Sequence, residues 1–285
     1  MTDYCQVMRI PPTLCMVAVL VTALAACSGT QEASSAPREE SSTDGVAVAD
    51  GFPVGAQLDY QLGGAYEPSA GVQVVVRDVS DPPAADLYSV CYLNGFQTQP
   101  EEFAAWLSNG LVLLVDGGPL ADPEWPDEFL LDTSTAERRT AIAERIGEGL
   151  QECADKGYDA VELDNLDSYT RSAGLLTLAD NVELAAMLVE HSHELGMLAG
   201  QKNAAEEAAA FKDVGFDFAV AEQCIEFEEC ADYADAYGTA VLGIEYPEES
   251  GAEDPCAAPD RPGSVVLRDR DLTMPGDPAY LYRAC

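Results

Sequence analysis

Carboxylates are the most abundant side chains in this sequence that can carry out chemistry, with 51 Asp and Glu against 14 Lys and Arg. The two histidines of the sequence, His191 and His193, lie two positions apart on a predicted helix and therefore do not share a face. Because GxSxG, P-loop and HExxH motifs are also missing, His-dependent triads and most His-ligated metal sites are disfavoured. Chemistry by paired carboxylates remains, and glycoside hydrolysis uses one ionised carboxylate and one that donates a proton to the leaving oxygen.

Polar side chains, most of them acidic, follow nearly every short apolar run of the sequence. These positions are Asp78, Asn94, Asp116, Asp132, Glu162, Asp164, Asn165, Lys202, Asn203, Glu222, Glu245 and Tyr246. A loop cap or a helix cap explains any one of them, but it explains the whole series poorly. In a (β/α)₈ barrel the carboxyl ends of the strands converge on one face, where the chemistry takes place.

Short apolar runs alternate with helical patterns from about residue 51 onward, and this alternation predicts the elements that position those side chains. The predicted strands are 58–62, 72–77, 88–93, 111–115, 160–164, 198–201, 218–221 and 240–244, and the runs 129–131 and 265–267 can add one or two. The predicted helices are 135–156, 178–195 and 204–214. Without a GxGxxG turn, this α/β alternation favours a single TIM-type barrel over a dinucleotide-binding sheet.

Several blocks of sequence around these strand ends resemble one enzyme family. They are residues 59–61 (DYQ), 91–94 (CYLN), 157–169 (GYDAVELDNLDSY), 201–203 (QKN), 219–224 (AVAEQC), 229–230 (EC) and 244–246 (IEY). In this order they resemble the endo-α-1,4-polygalactosaminidase family, glycoside hydrolase family 114. The resemblance implies a barrel whose catalytic carboxylates match Asp164 and Glu222, and we expect Asp164 to be the nucleophile and Glu222 the general acid/base. The alternative for Asp164 is a cap of the following helix.

A further set of residues is expected to bind the substrate. Lys202 is expected beside Asp164, where it keeps that carboxylate ionised, unless it only forms a structural ion pair. Asn165, Asp167 and Asn203 are candidates for hydrogen bonds to sugar hydroxyls or amines. The remaining candidates, whose aromatic members are individually compatible with the core, are Asp59, Tyr60, Tyr92, Asn94, Trp125, Tyr169, Glu245 and Tyr246.

No cofactor or metal is expected. A calcium loop at residues 164–167 is the alternative, but this segment lacks the Gly and the terminal Glu of an EF-hand loop.

The formal net charge of −37 restricts the partners of the protein. Such a surface repels nucleic-acid phosphates and anionic lipid head groups, so we expect no nucleic-acid partner. Deacetylated polygalactosamine carries amines, and an acidic cleft would concentrate such a cationic polysaccharide, although the charge also fits an acidic shell that only maintains solubility. Two other functions stay open: a non-catalytic carbohydrate-binding lipoprotein on the same fold, and a hydrolase of another α-linked polysaccharide. A monomer is expected.

The N-terminal segment has the pattern of a bacterial lipoprotein signal. Arg9 precedes an apolar stretch at 14–26 that is too short to span a bilayer, and the stretch ends in the lipobox-like residues 24–27 (LAAC). We therefore expect a signal peptide at 1–26, lipidation of Cys27, a flexible acidic and Ser-rich linker at 27–50, and a hydrolase domain at 51–285. The domain would then lie outside the cytoplasm, held at the membrane only by its lipid. The alternative is an ordinary signal peptide that is cut nearby.

Six cysteines remain after those of the signal and Cys27. An even number in an oxidising compartment predicts three disulfides. Several connectivities are possible, and those expected from spacing are Cys224 with Cys230 and Cys256 with Cys285, which leaves Cys91 with Cys153.

Overall fold

The computed structural model describes residues 51–246 and 254–285, together with the backbone of a short strand at Ala47–Ala49. The predicted signal peptide, Cys27 and nearly all of the linker predicted at 27–50 therefore lie outside the described residues. Within the described part of the chain, no helix is long and apolar enough to cross a membrane.

Eight parallel strands form the main sheet of the described residues. They are β1 (Leu58–Gln61), β2 (Val74–Asp78), β3 (Tyr88–Asn94), β4 (Ala160–Asp164), β5 (Leu198–Lys202), β6 (Phe218–Glu222), β7 (Val241–Glu245) and β8 (Ser264–Arg268). Each strand pairs with the next one along the chain, so the carboxyl ends of all eight lie at one rim. A ninth strand, β9 (Tyr282–Ala284), pairs antiparallel with β8 at the edge of the sheet.

The two ends of this sheet meet and nearly close it into a barrel. Strands β1 and β8 contact each other, and Arg268 Nη1 on β8 lies 3.6 Å from Asp59 Oδ1 on β1. Both side chains are fully buried, so this ion pair joins the two strands inside the protein. The predicted TIM-type barrel is confirmed.

Five α-helices follow strands of the barrel in the described chain. They are α1 (Phe103–Ser108), α2 (Ala136–Lys156), α3 (Leu178–Glu194), α4 (Ala208–Asp213) and α5 (Cys230–Tyr237). The two long helices begin at side-chain caps, Thr135 for α2 and a capping box of Thr177 and Asp180 for α3, and this agrees with the predicted helices 135–156 and 178–195. The predicted helix 204–214 is instead a 3₁₀ turn at Ala205–Glu207 followed by α4.

The prediction of a barrel strand at 111–115 is wrong. In the structure Leu114–Val115 pairs only with Gly118–Pro119 in a short antiparallel hairpin, and Asp116 lies in its turn. The first three residues of this run are buried although they lie in a loop. An apolar run alone does not distinguish such a buried loop segment from a strand. Asp132 does not end a barrel strand either; it lies just before α2, where its carboxylate accepts a hydrogen bond from Ser134 N.

Two hydrophobic layers hold the barrel together. Inward-facing side chains such as Leu58, Val76, Val220 and Ile244 fill the barrel, and Phe52 stacks on Phe218 at 4.5 Å near the amino-terminal ends of the strands. A second layer lies between the sheet and helices α2 to α5, to which the outward-facing side chains of the strands contribute. The barrel interior is thus packed, so a ligand can reach the rim but not the centre.

Three disulfides are present among the described residues, with the connectivity expected from the sequence. Cys91–Cys153 joins β3 to α2, and Cys224–Cys230 closes the loop between β6 and α5. Cys256–Cys285 joins the 3₁₀ turn at Pro255–Ala257 to the residue that follows β9.

Candidate active site

Three chemically reactive side chains stand at the last positions of three neighbouring strands. Asp164 ends β4, Lys202 ends β5 and Glu222 ends β6. Because these strands are parallel and adjacent, the three side chains leave the sheet at the same rim. The sequence places them there because each follows a run of buried residues that forms a central strand.

The residue after each of these three positions has a left-handed backbone. The φ angles are 65° at Asn165, 49° at Asn203 and 56° at Gln223. Left-handed residues other than glycine are energetically costly and cluster at functional sites, and Asn tolerates this conformation better than most residues. The chain therefore turns sharply just beyond each reactive side chain.

Lys202 is the centre of the charge network at this rim. Its Nζ lies 3.0 Å from Glu162 Oε1, 3.3 Å from Glu222 Oε2 and 3.7 Å from Asp164 Oδ2. Burial alone would lower the pKa of Lys202, but the surrounding carboxylates raise it well above its usual range. Lys202 is therefore a fixed cation among three carboxylates.

Two of these carboxylates are held in place and are still reachable from solvent. Tyr92 donates a hydrogen bond of 2.7 Å to Asp164, and Tyr246 donates one of 2.5 Å to Glu222. Asn203 donates to Glu222 Oε2 at 3.0 Å and accepts from its backbone N–H at 2.9 Å. The side chains of Asp164 and Glu222 are 18% and 24% exposed, so a ligand in the cleft can touch both.

The charge state of Glu222 follows from this environment. Burial raises its pKa, but Lys202 and the hydrogen bonds from Tyr246 and Asn203 outweigh burial and hold the pKa below the ordinary value for Glu. Glu222 is therefore ionised at neutral pH in the unliganded protein.

Glu162 and Tyr60 lie beneath this pair. Tyr60 donates to Glu162 Oε1 at 2.7 Å and accepts from Lys202 Nζ at 2.9 Å, and both residues are fully buried. Glu162 Oε2 is buried without a hydrogen-bond partner, and burial raises the pKa of this carboxyl to about 7. The expectation that Tyr60 touches the sugar is corrected, because this ring supports Lys202 from below.

The expectation of a sugar contact is also corrected for Asp59 and Glu245, which are buried and line neither cavity at the rim. Asp59 accepts hydrogen bonds of 2.8 Å from Gln61 and from Tyr66, in addition to its ion pair with Arg268. Glu245 accepts a hydrogen bond of 3.0 Å from the backbone N–H of Ile225, so it holds the loop after β6.

Asn94 contacts the carboxyl group of Glu128, which was not among the residues predicted from the sequence. Its side chain is buried and donates to Glu128 Oε2 at 3.1 Å, and Glu128 in turn lines the cleft. Burial, with a contribution from the charge of Asp164, raises the pKa of Glu128 to about 7. Glu128 precedes an apolar run, whereas the predicted rim residues follow one, so the sequence pattern contains no signal for it.

Two adjoining cavities open above the rim. One of about 570 Å³ is lined by Asn165, Asp167, Tyr169 and Asn203, which the sequence suggested as substrate ligands. The other, of about 390 Å³, is lined by Tyr92, Lys202 and Tyr246 from the same set. Five residues line both cavities: Trp125, Asp164, Asn165, Glu222 and Arg270. Most of the suggested residues are thus brought together around Asp164 and Glu222.

The structure also argues against a calcium loop at residues 164–167, since its two carboxylates have separate partners. Asp164 faces Tyr92 and Lys202, whereas Asp167 pairs with Arg171 Nη1 at 2.8 Å. Arg171 also binds Asp122 at 2.7 Å, so it fixes the loop after β4 against the segment that carries Trp125.

Comparisons with known proteins show which family this chain belongs to. A comparison with curated protein sequences gives no match. Among solved structures, the chain is similar to Aspergillus fumigatus Ega3 in complex with galactosamine, with a TM-score of 0.63 and 22% identity over 83% of this chain and 99% of that chain. It is also similar to the glycoside hydrolase domain of PelA from Pseudomonas aeruginosa, with a TM-score of 0.52 and 15% identity over 78% of this chain and 97% of that one. These likenesses show the fold. The model of glycoside-hydrolase family GH114 matches residues 38–285, and the chain therefore belongs to that family.

Proposed function

We propose that this glycoside hydrolase cleaves α-1,4 linkages within a galactosamine-rich polysaccharide, with Asp164 and Glu222 as its catalytic carboxylates. The observation that carries the proposal is the contact of both carboxylates with one ammonium group, Lys202 Nζ, at 3.7 and 3.3 Å. The contacting oxygens are therefore at most about 7 Å apart. This limit is compatible with the separation of about 5–5.5 Å between the carboxyl groups of retaining enzymes and lies near the lower end of the range of about 6.5–9.5 Å for inversion.

The mechanism that fits this pair is retention through a covalent intermediate. Asp164 attacks the anomeric carbon while Glu222 protonates the leaving oxygen, so one C–O bond forms as the glycosidic bond breaks. Glu222 then takes a proton from a water molecule, which attacks the same carbon and releases Asp164. Lys202 lies 3.7 Å from the nucleophile, and the hydrogen bond from Tyr92 orients it.

Because the pKa of Glu222 is lowered, this residue is ionised at the start of the catalytic cycle and must gain a proton before it can act as an acid. An ionised Glu222 is ready for the second step, in which it acts as a base. For the first step it must take up a proton when the substrate displaces water from the cleft, because desolvation favours the neutral carboxyl.

Charge complementarity supports an amine-bearing substrate. The protein has a formal net charge of −37, and a carboxylate-lined cleft attracts a cationic chain. The similar Ega3 structure is a complex with galactosamine, which is a sugar of this kind. The exposed ring of Trp125 offers a stacking surface where the two cavities meet.

The test is to incubate the purified protein with a de-N-acetylated α-1,4-galactosamine polymer and to measure new reducing ends and product sizes. We expect a ladder of oligomers, because the cavities extend to both sides of the pair and favour internal cleavage. Binding of the polymer without new reducing ends would support the non-catalytic alternative, and cleavage only of another α-linked polymer would reassign the substrate.

Chemical rescue tests the roles of the two carboxylates. With azide and an activated galactosaminide, Asp164→Ala should give a glycosyl azide of inverted configuration, and Glu222→Ala one of retained configuration. The opposite pattern would exchange the two roles.

The proposed site of action is the outer face of the bacterial cell membrane, with the domain attached through a lipid on Cys27. The lipobox-like residues 24–27 support this location, and so do three disulfides, which persist in oxidising compartments. Produced in a bacterium that processes lipoproteins, the protein should partition into detergent, and Cys27→Ser should abolish this behaviour. A wild-type protein that is wholly soluble and free of lipid would refute the anchor.

A further inference from the structure

The proposed catalytic pair lies where the two cavities meet, and apart from five shared residues the two cavities have different linings. The larger cavity, here called the large arm, is lined by the loops that follow β4, β5 and β6, by residues 122–125 of the loop after β3, and by Arg270. The smaller cavity, here called the small arm, is lined by residues after β1, β3, β7 and β8 and by the ends of β2 and β5. A polymer that passes over Asp164 and Glu222 therefore has one side of its scissile bond in each arm.

The large arm is strongly acidic. Among the described residues, six carboxylates besides the catalytic pair line it: Asp122, Glu124, Asp167, Glu206, Glu207 and Glu229. Arg171 is already paired with Asp122 and Asp167. Glu124, Glu206 and Glu229 form no ion pair with a described Lys or Arg, so their charges are available to a ligand. Burial raises the pKa of Glu229, and the charges of Asp232 and Glu206 raise it further.

The small arm has fewer charges and more apolar surface. Besides the catalytic pair, Asp78, Glu128 and Asp271 are its carboxylates among the described residues. Burial raises the pKa of Glu128 to about 7, so this group is partly neutral at neutral pH. The side chains of Leu62, Tyr92 and Leu272 line the same arm and offer apolar surface to a methyl group.

We infer that the two arms select differently: the large arm requires sugars with free amines, whereas the small arm accepts N-acetylated sugars. An ammonium group in the large arm gains from the unpaired carboxylates around it. An acetamide there is neutral, and it would desolvate those carboxylates without compensating their charge. In the small arm the acetyl methyl group meets apolar side chains, and little charge has to be compensated. The inference rests on the proposed function and adds to it the acetylation pattern that the enzyme can cleave.

The test uses a randomly and partly N-acetylated α-1,4-galactosamine polymer that is digested by the full protein in ¹⁸O water. The isotope marks the new reducing ends, so tandem mass spectrometry can score acetylation separately at the new reducing and the new non-reducing ends. We expect one new end to carry several-fold less acetyl than the polymer average and the other to match that average. Cleavage with equal acetylation at both ends would overturn this inference and leave the proposed function standing. Absence of cleavage would overturn both.

A matched pair of variants assigns the selection to the large arm. Glu206→Gln combined with Glu229→Gln removes two charges of that arm, and the acetyl content of the depleted end should rise toward the polymer average. The control, Glu148→Gln combined with Glu190→Gln, removes the same charge from exposed positions on α2 and α3 and should keep the selection of the wild type. If both double variants select as the wild type does, the large arm is not the selective element and the inference is wrong.

Discussion

Lys202 Nζ lies 3.0 Å from Glu162 Oε1 inside the barrel, and the two side chains are only 3% and 0% exposed. This buried ion pair lies directly under the carboxylates that are proposed to be catalytic. Glu162 Oε2 has no hydrogen-bond partner, so a proton can bind to this oxygen without breaking a hydrogen bond. The charge beneath the active site therefore depends on pH.

Glu162→Gln should become more stable relative to the wild type as the pH rises from about 4.5 to about 7. The pKa of Glu162 is raised from 4.5 to about 7, so in this window the unfolded chain releases a proton that the folded protein keeps. The free energy of unfolding of the wild type therefore falls through this range, and the variant lacks that loss. Urea unfolding across the range measures the difference, with the exposed Glu148→Gln as control. A difference that does not grow with pH would contradict the prediction.

Asp164→Asn should abolish turnover and leave the fold intact. Asn keeps the shape of the side chain but removes the nucleophile, so kcat should fall by at least about 10³-fold. Steady-state assays on the polymer measure the loss, and circular dichroism on heating checks the fold. Asp155→Asn, at an exposed position on α2, is the matched control. Near wild-type turnover in Asp164→Asn would remove this residue from the mechanism.

Glu222→Gln should affect substrates according to their leaving groups. General acid catalysis contributes about 10²–10⁴-fold, so cleavage of the natural polymer should fall by that factor. An aryl galactosaminide whose leaving group needs no proton should lose much less. Comparing kcat/KM for the two substrates decides the point, and equal losses on both would exclude proton donation by Glu222.

The three disulfides should differ in their contribution to stability. Cys91 and Cys153 are 62 positions apart in sequence, whereas Cys224 and Cys230 are 6 apart. Because a longer closed loop restricts the unfolded chain more, replacing the first pair by Ala should cost about 2 kcal/mol more than replacing the second. Chemical denaturation of the two double variants measures this difference.

Thiol counting on the denatured, unreduced wild type should find no free thiol among the six cysteines. Two or more free thiols would refute the three-disulfide scheme.

The central strands could be predicted because they are buried on both faces. In β4 and β6 a continuous run of buried residues ends in a carboxylate, and parallel pairing brings those ends together. The sequence could not distinguish this situation from residues 111–115, where an apolar run is buried by a loop instead of a sheet. The length and hydrophobicity of the two kinds of run are similar, and only their tertiary contacts differ.

The supporting residues of the site were harder to predict for a different reason. Tyr60 points into the barrel but stays beneath Lys202, whereas Glu245 alternates with the inward-facing Ile244 and points outward to the loop after β6. Glu128 could not be predicted because it lies in a loop, and it is held at the cleft by a hydrogen bond from Asn94. Contacts between distant loops leave no periodic pattern in a sequence.

The ion pair between Asp59 and Arg268 has a consequence for how the domain reaches its native state. Its partners come from the first and the eighth strand of the barrel, so Asp59 has no cation beside it until β8 has been synthesised and docked. An unpaired carboxylate on β1 opposes burial of that strand, which discourages a partial barrel from forming early. Folding that waits for such a distant contact is slow and cooperative, so we expect the domain to fold as one unit once β8 is available.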